Sequence, residues 1–71
     1  MEILVFKTDI TDPQQVLLIE PHLDNLQGVI RWNVDLHDCD KILRVVSDNI
    51  SPRVIEQHML EAGHRCIELE D

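Results

Sequence analysis

The chain is poor in aromatic, cysteine and basic residues, and each shortage excludes a class of protein. Its 71 residues include one Phe, one Trp and no Tyr, so aliphatic side chains must fill the core. Two cysteines are too few for the disulfide framework of a small secreted domain. Six basic residues stand against 14 acidic ones, and a net charge of −8 repels the phosphates of nucleic acids and anionic membranes. We therefore expect neither of these as a partner.

Long apolar runs are also missing. No stretch approaches the roughly 18 apolar residues of a membrane span, and no basic-then-apolar leader opens the chain. We therefore expect a cytoplasmic protein. The length suits a single domain over residues 1–71, and a hydrophobic content of 44% is enough for it to fold without cross-links.

The first part of the chain predicts a strand followed by a helix. The run from Glu2 to Lys7 is apolar and rich in β-forming residues, as in a strand buried on at least one face. Asp12-Pro13 predicts a helix start, because Asp accepts hydrogen bonds from free amides and Pro fits the first helical position. Gly28 is expected to end this helix, and Pro21 to kink it. Its apolar face comprises Val16, Ile19, Leu23 and Leu26.

The middle of the chain predicts an antiparallel hairpin. From Val29 the apolar residues alternate, which is typical of a half-buried strand. Residues 37–40 form a short polar turn, and Lys41 to Val46 follow as a third strand with Leu43 and Val45 on one side. The inward residues of the second strand are expected to be Ile30, Trp32, Val34 and Leu36.

The last part predicts a second helix and a final strand. Ser51-Pro52 repeats the helix-start signal, and Gly63 ends the helix. The apolar stripe of this helix comprises Val54, Ile55, Met59 and Ala62. Alternation then resumes over residues 65–70, with Ile67 and Leu69 expected inward. The residues expected to point outward are Cys66, Glu68 and Glu70.

The order of these elements predicts the fold. Strand, helix, strand, strand, helix, strand, joined by right-handed crossovers, gives a four-stranded antiparallel sheet of order 4-1-3-2. Both helices are expected on one face of that sheet. The expected fold class is therefore α+β, a ferredoxin-like βαββαβ sandwich.

Several segments resemble the heavy-metal-associated domain of copper chaperones and metal-pumping ATPases. They are Lys7-Thr8-Asp9-Ile10, Ile19-x-Pro21-x-Leu23, Leu26-x-Gly28-Val29-x-x-Trp32-x-Val34-Asp35-Leu36 and Glu61-Ala62-Gly63. The resemblance covers nearly the whole chain and implies the same fold. It also implies where a metal site would lie, at the loop before the first helix.

The signature of that family is Cys-x-x-Cys, and here the two positions hold Asp12 and Gln15. Copper(I) selects soft thiolates, whereas a carboxylate and an amide offer hard oxygens. We therefore expect Asp12 to cap the helix rather than to bind copper, and no bound cofactor follows from the sequence.

A non-standard metal site is the alternative. His64 lies where the family often has Lys or Tyr beside the metal, and with Asp12 and Cys66 it could bind zinc or nickel. The simpler interpretation of His64 is a solvent-facing turn residue, because these residues have no recognised ligand spacing. Cys39 and Cys66 are not expected to form a disulfide, since strand 1 separates their strands.

Surface recognition remains as the function. No Ser, His and Asp set and no Gly-rich phosphate loop supports an enzyme. The sheet face away from the helices is expected to carry aliphatic residues among basic ones. This pattern fits a protein-docking surface, and it equally fits the ordinary exposed apolar area of a small domain. Another protein, or a second copy of the chain, is the expected partner. The aliphatic residues expected on this surface are Ile3, Val5, Ile42 and Val46.

Overall fold

The computed structural model describes residues 1–69, and its elements follow the predicted order. They are β1 (Glu2–Thr8), α1 (Pro13–Asp24), β2 (Val29–Asp35), β3 (Ile42–Ser47), α2 (Pro52–Glu61) and β4 (Cys66–Glu68). The strands form one sheet in the order β2-β3-β1-β4, and every neighbouring pair is antiparallel. The predicted fold class and strand order are confirmed. None of the helices within residues 1–69 has the length and apolar character needed to cross a membrane.

Helix α1 begins at the predicted residue but ends earlier than Gly28. Its last helical residue is Asp24, and Asn25 is the C-cap. Gly28 instead shapes the entry into β2. Its φ is +102°, its carbonyl accepts a hydrogen bond from the Asp48 amide (2.7 Å), and a Cβ here would lie 3.0 Å from the Asp48 carbonyl oxygen. Only glycine combines that dihedral angle with so close an approach of two backbones.

Helix α2 ends as predicted. Gly63 follows the C-cap with a φ of +91°. The Gly63 amide donates to the Leu60 carbonyl (2.9 Å) and the His64 amide to the Met59 carbonyl (3.0 Å). These two bonds are those of a Schellman motif, which satisfies the last carbonyls of a helix. The motif also turns the chain so that His64 leaves the helix toward the sheet.

The core lies between the helices and one face of the sheet. Its buried cluster comprises Leu4, Phe6, Ile10, Ile19, Leu23, Leu43, Val45, Ile55, Met59 and Cys66. Trp32 packs against this cluster, as predicted from its phase, and its Nε1–H donates to the Asp24 carboxylate (2.8 Å). It is half-buried because β2 is an edge strand. Val54, expected in the apolar stripe of α2, is exposed, since it lies about 100° around the helix from buried Ile55.

A β-bulge reverses the expected orientation of Ile30. Val29 pairs with Ser47 and Arg31 with Val46, so that Ile30 is the extra residue on β2. Its side chain is 53% exposed, whereas Val29 packs against the core. The extra residue of a bulge shifts the alternation of a strand by one position, and the regular pattern predicted for Ile30 is therefore wrong.

The expected orientation of β4 is also wrong. Cys66 is 9% exposed and belongs to the core, whereas Ile67 and Leu69 are exposed. Residues paired directly across two antiparallel strands share a face of the sheet. Cys66 pairs with Thr8, a buried residue of β1, so β1 imposes its phase on β4. Glu68, also expected to point outward, pairs with buried Phe6 and is half-buried. Glu70 lies outside the described residues.

Candidate functional site

Loop 1, residues 9–12, joins β1 to α1 and is anchored by one apolar side chain. Ile10 is fully buried in the core cluster. Its amide donates to Thr8 Oγ1 (3.3 Å), and that hydroxyl donates to the carbonyl of Lys41 beside β3. The other residues of the connector between β1 and α1 are polar. A single isoleucine among polar residues is the sequence signal that indicates a buried anchor in this loop.

The side chains at the start of α1 are bonded to one another. Asp12 Oδ1 accepts a hydrogen bond from the Gln15 amide (3.0 Å). Gln15 Oε1 accepts in turn from the amide (2.7 Å) and the hydroxyl (3.2 Å) of Thr11. This reciprocal pattern is a close variant of the capping box, which satisfies free amides at a helix start. Both side chains are therefore occupied by the cap, and their oxygens do not fit copper(I), which requires soft donors.

His64 faces loop 1, but its partner there is Asp9 rather than Asp12. The His64 ring Nδ1 lies 2.9 Å from Asp9 Oδ1. Partial burial alone would raise the pKa of Asp9, but hydrogen bonds from His64 and from the Arg65 backbone outweigh it, and the pKa is lowered. A depressed carboxyl pKa means that the folded protein favours the ionised form of Asp9. The pair links loop 1 to the segment between α2 and β4.

Cys66 is held as a neutral thiol. Burial, followed by the nearby charges of Glu56 and Asp9, raises the pKa of its thiol to about 12. The thiolate is the form that binds metals, and burial in apolar surroundings suppresses it. Asp12, His64 and Cys66 are not among the described residues whose ligand atoms converge for a metal ion. The structure does not bring these three predicted ligands together.

A different set of potential metal donors converges in the turn between β2 and β3. Within residues 1–69, Asp38, Cys39 and Asp40 are the one set of three such residues whose ligand atoms lie within 4.8 Å of one another. Hydrogen bonding explains this geometry, since Asp38 Oδ1 accepts from the Asp40 amide (2.8 Å). Lys7 Nζ also lies 3.7 Å from Asp40 Oδ1. Turns containing Asp commonly make such local bonds.

The open face, meaning the sheet surface away from the helices, carries the predicted aliphatic residues. Ile3 is 68% exposed and pairs with half-buried Val46, while Val5 is half-buried beside exposed Arg44. Ile42 is only 6% exposed although it lies outside the core cluster, so it offers little surface to a partner. A groove of about 380 Å³, here called the sheet groove, runs across this face. It is lined by Ile3, Arg31, Trp32, Asn33, Arg44 and Val46.

The β4 edge of the sheet is closed by side chains. The outward amide of Glu68 donates to Glu56 Oε2 (2.8 Å). Arg53 bridges the two acids, at 2.9 Å from Glu56 Oε1 and 2.8 Å from Glu68 Oε1. A strand edge whose amide already has an acceptor offers less to an added strand.

Comparison with known proteins finds relatives of fold only. No protein-family model matches the sequence, and no curated protein matches it. A copper-binding domain from HMA7, a P-type ATPase, superposes with a TM-score of 0.86 and 22% identity, covering 99% of this chain and 96% of that one. For the Atx1–Cu(I)–Ccc2a complex the TM-score is 0.83 and the sequence identity is 20%, with 100% of this chain and 99% of that one covered. For the copper(I)-loaded first domain of the human copper chaperone for SOD1 the TM-score is 0.78 and the identity is 18%, with 93% of this chain and 89% of that one covered.

These superpositions confirm the fold implied by the sequence resemblance. The chain has the fold of copper-binding heavy-metal-associated domains over essentially its whole described length. Its two cysteines, by contrast, lie in the β2–β3 turn and in the core. A shared fold places the elements, but the chemistry depends on the side chains that those elements carry.

Proposed function

We propose that the chain is a non-enzymatic protein-interaction module, built on the heavy-metal-associated fold, that no longer binds copper(I) at loop 1. The observation that carries this proposal is the cap at the start of α1. Asp12 and Gln15 stand where the resemblance requires two thiolates, and their oxygens bond to the amides of Gln15 and Thr11. Copper(I) would have to displace this cap and would gain only hard donors in return.

The remaining groups near loop 1 support the same conclusion. His64 is engaged with Asp9, and the Cys66 thiol is neutral with a pKa of about 12. Free cysteines suit the cytoplasmic location expected from the sequence. The non-standard site at Asp12, His64 and Cys66 therefore has no geometric support, and we do not adopt it.

The open face supports the interaction part of the proposal. Ile3, Val5 and Val46 form an aliphatic strip with exposed Arg44 beside it. A polar rim around an apolar centre is the usual arrangement of a protein interface. One structural neighbour was determined in a two-protein complex, so this fold is compatible with docking. We assign recognition to the open face and no catalytic role to any residue.

Titration with a competing copper(I) chelator tests the proposal. We expect the native protein to leave copper(I) with the chelator, because loop 1 lacks thiolates. The double variant Asp12→Cys with Gln15→Cys is expected to gain one tightly bound copper(I). The single variants Asp12→Cys and Gln15→Cys serve as matched controls, since each supplies only one thiolate.

Native mass spectrometry with copper or zinc added reads the metal stoichiometry and the assembly together. One equivalent of copper(I) retained by the native chain would overturn the proposal. A folded double variant that fails to bind would show that positions 12 and 15 do not correspond to the metal positions of the fold.

A further inference from the structure

The sheet groove has a defined arrangement of side chains. Arg31 pairs across the strands with Val46, and Val46 with Ile3, which forms one row. Asn33 pairs with Arg44, and Arg44 with Val5, which forms the next row. Adjacent rows on one face of a sheet lie about 7 Å apart, and adjacent strands about 4.8 Å apart. The two arginines are therefore diagonal neighbours, with aliphatic side chains beside both.

The charge of this face opposes the charge of the molecule. Of the six basic residues in the chain, three (Lys7, Arg31 and Arg44) occupy open-face positions of the strands. The single acid at such a position is Asp35, whose carboxylate accepts from the His37 amide (3.0 Å). Lys7 lies 3.7 Å from Asp40, so Arg31 and Arg44 carry the positive charge that attracts anions to this face of a chain of net charge −8.

Among the described residues, neither Arg31 nor Arg44 has a partner for its guanidinium group. Within residues 1–69, no hydrogen bond or ion pair engages either guanidinium, although Arg53 bridges Glu56 and Glu68. A planar guanidinium without a partner is suited to bind a carboxylate through two parallel hydrogen bonds.

We propose that the sheet groove docks an extended acidic segment of a partner protein. Two carboxylates of that segment bind Arg31 and Arg44, and an aliphatic side chain covers Ile3 and Val46. In an extended chain, alternate residues share a face and lie about 7 Å apart, which matches the row spacing of the groove. This inference rests on the proposed function and names the chemistry of its partner.

Charge excludes the other occupants. A second copy docked face to face would bring guanidiniums against guanidiniums, and like charges in an interface are unfavourable. A long nucleic acid would extend beyond a molecule 28 Å across and meet its acidic remainder. A short acidic segment meets only the local face, because salt screens charges beyond about 8 Å.

Binding of a labelled peptide tests the inference. The peptide repeats Glu-Ser-Glu-Ser-Leu-Ser, which places pairs of acids about 7 Å apart and leucines on the same face of an extended chain. The matched controls replace each Glu by Gln or Lys. We expect the Glu peptide to bind, the two controls not to bind, and the affinity to fall as salt is raised.

Protein variants locate the site. Arg31→Gln with Arg44→Gln is expected to weaken binding about tenfold, the combined effect of two exposed ion pairs. Arg65→Gln removes an exposed charge from the groove between α2 and β4, and it should leave the affinity unchanged. Ile3→Gln should weaken binding of the Glu peptide without affecting the fold, because Ile3 is 68% exposed.

Each outcome has a distinct meaning. Equal binding of the Glu and Lys peptides, no binding of any peptide, or an unaffected arginine double variant would overturn the acidic partner. If the chain forms a concentration-dependent dimer that the peptide dissociates, the occupant of the sheet groove is a second copy of the chain rather than an acidic partner. If the native chain leaves copper(I) with the chelator but binds none of the peptides, the proposed function stands and this inference is wrong. Copper(I) held by the native chain would remove the proposed function itself.

Discussion

The loop-1 end of the molecule and the open face of the sheet use their polar side chains in opposite ways. At loop 1, Asp12, Gln15 and Thr11 bond to one another, and Asp9 bonds to His64. On the open face, the guanidinium of Arg31 contacts no partner within the described residues. Internal hydrogen bonds stabilise the fold, whereas groups without internal partners are available to a ligand. We therefore expect loop 1 to contribute to the stability of the fold and the open face to carry the binding proposed above.

The largest expected effect comes from two isoleucines, one in each region. Ile10→Ala removes a fully buried side chain and should lower the free energy of unfolding by about 2–5 kcal/mol. Ile3→Ala on the open face should change it by less than about 0.5 kcal/mol. Urea denaturation followed by Trp32 fluorescence measures both. If Ile10→Ala does not fold, Ile10→Val should still cost about 0.5–1.5 kcal/mol. Equal costs at positions 10 and 3 would refute the division between the two regions.

A smaller effect should come from the cap. Asp12→Ala leaves the Gln15 amide without its acceptor and should lower the free energy of unfolding by about 1 kcal/mol. Arg31→Ala is the matched change on the open face, and we expect it to alter stability by less than about 0.5 kcal/mol. The same denaturation measurement compares them. An Asp12→Ala variant with the same free energy of unfolding as the native chain would show that the cap does not stabilise loop 1.

The smallest effect concerns pH and the contact between Asp9 and His64. Because the folded pKa of Asp9 lies below its ordinary value of 3.8, the unfolded chain binds protons more readily than the folded one near that pH. The contribution of Asp9 is therefore complete above the unfolded pKa and is lost as the pH falls through the folded pKa. Solvent screening keeps it below about 1 kcal/mol, since the Asp9 side chain is 48% exposed.

The measurement is the difference in unfolding free energy between the native chain and Asp9→Asn, followed from neutral pH to well below pH 3.8. We expect a small stabilisation at neutral pH that disappears in acid. Glu20→Gln is the control, because no hydrogen bond or ion pair within residues 1–69 engages that exposed carboxylate. A difference that grows in acid would mean that the Asp9 pKa is raised instead.

Most of the fold could be predicted from local patterns. The Asp12-Pro13 and Ser51-Pro52 signals start both helices, because capping needs only neighbouring residues. Gly63 ends α2 for the same reason. The alternation of β3 correctly placed Leu43 and Val45 in the core. Patterns of this kind depend on a few consecutive residues, so they predict the structure correctly without knowledge of the partner strand.

Most of the errors depend on contacts between distant segments, and Val54 is the exception because the helix period already places it away from Ile55. Cys66 points inward because β1 imposes its phase on a three-residue strand that is too short to show a reliable pattern of its own. Ile30 points outward because pairing with β3 places a bulge in β2. The contact of His64 with Asp9 joins residues 55 positions apart in the chain. The candidate metal ligands Asp12, His64 and Cys66 lie on segments far apart in the chain, so the distances between them could not be predicted from the sequence either.

The sequence by itself determined the order of elements, the two caps, the acidic charge and the absence of a Cys-x-x-Cys pair, since each is a property of adjacent residues or of composition. Only the tertiary structure decided that Ile10 anchors loop 1, that Cys66 is a buried thiol, and that Arg31 and Arg44 border one groove. These features arise when strands far apart in the chain are paired. Pairing sets which side chains share a face, and local sequence does not contain the register.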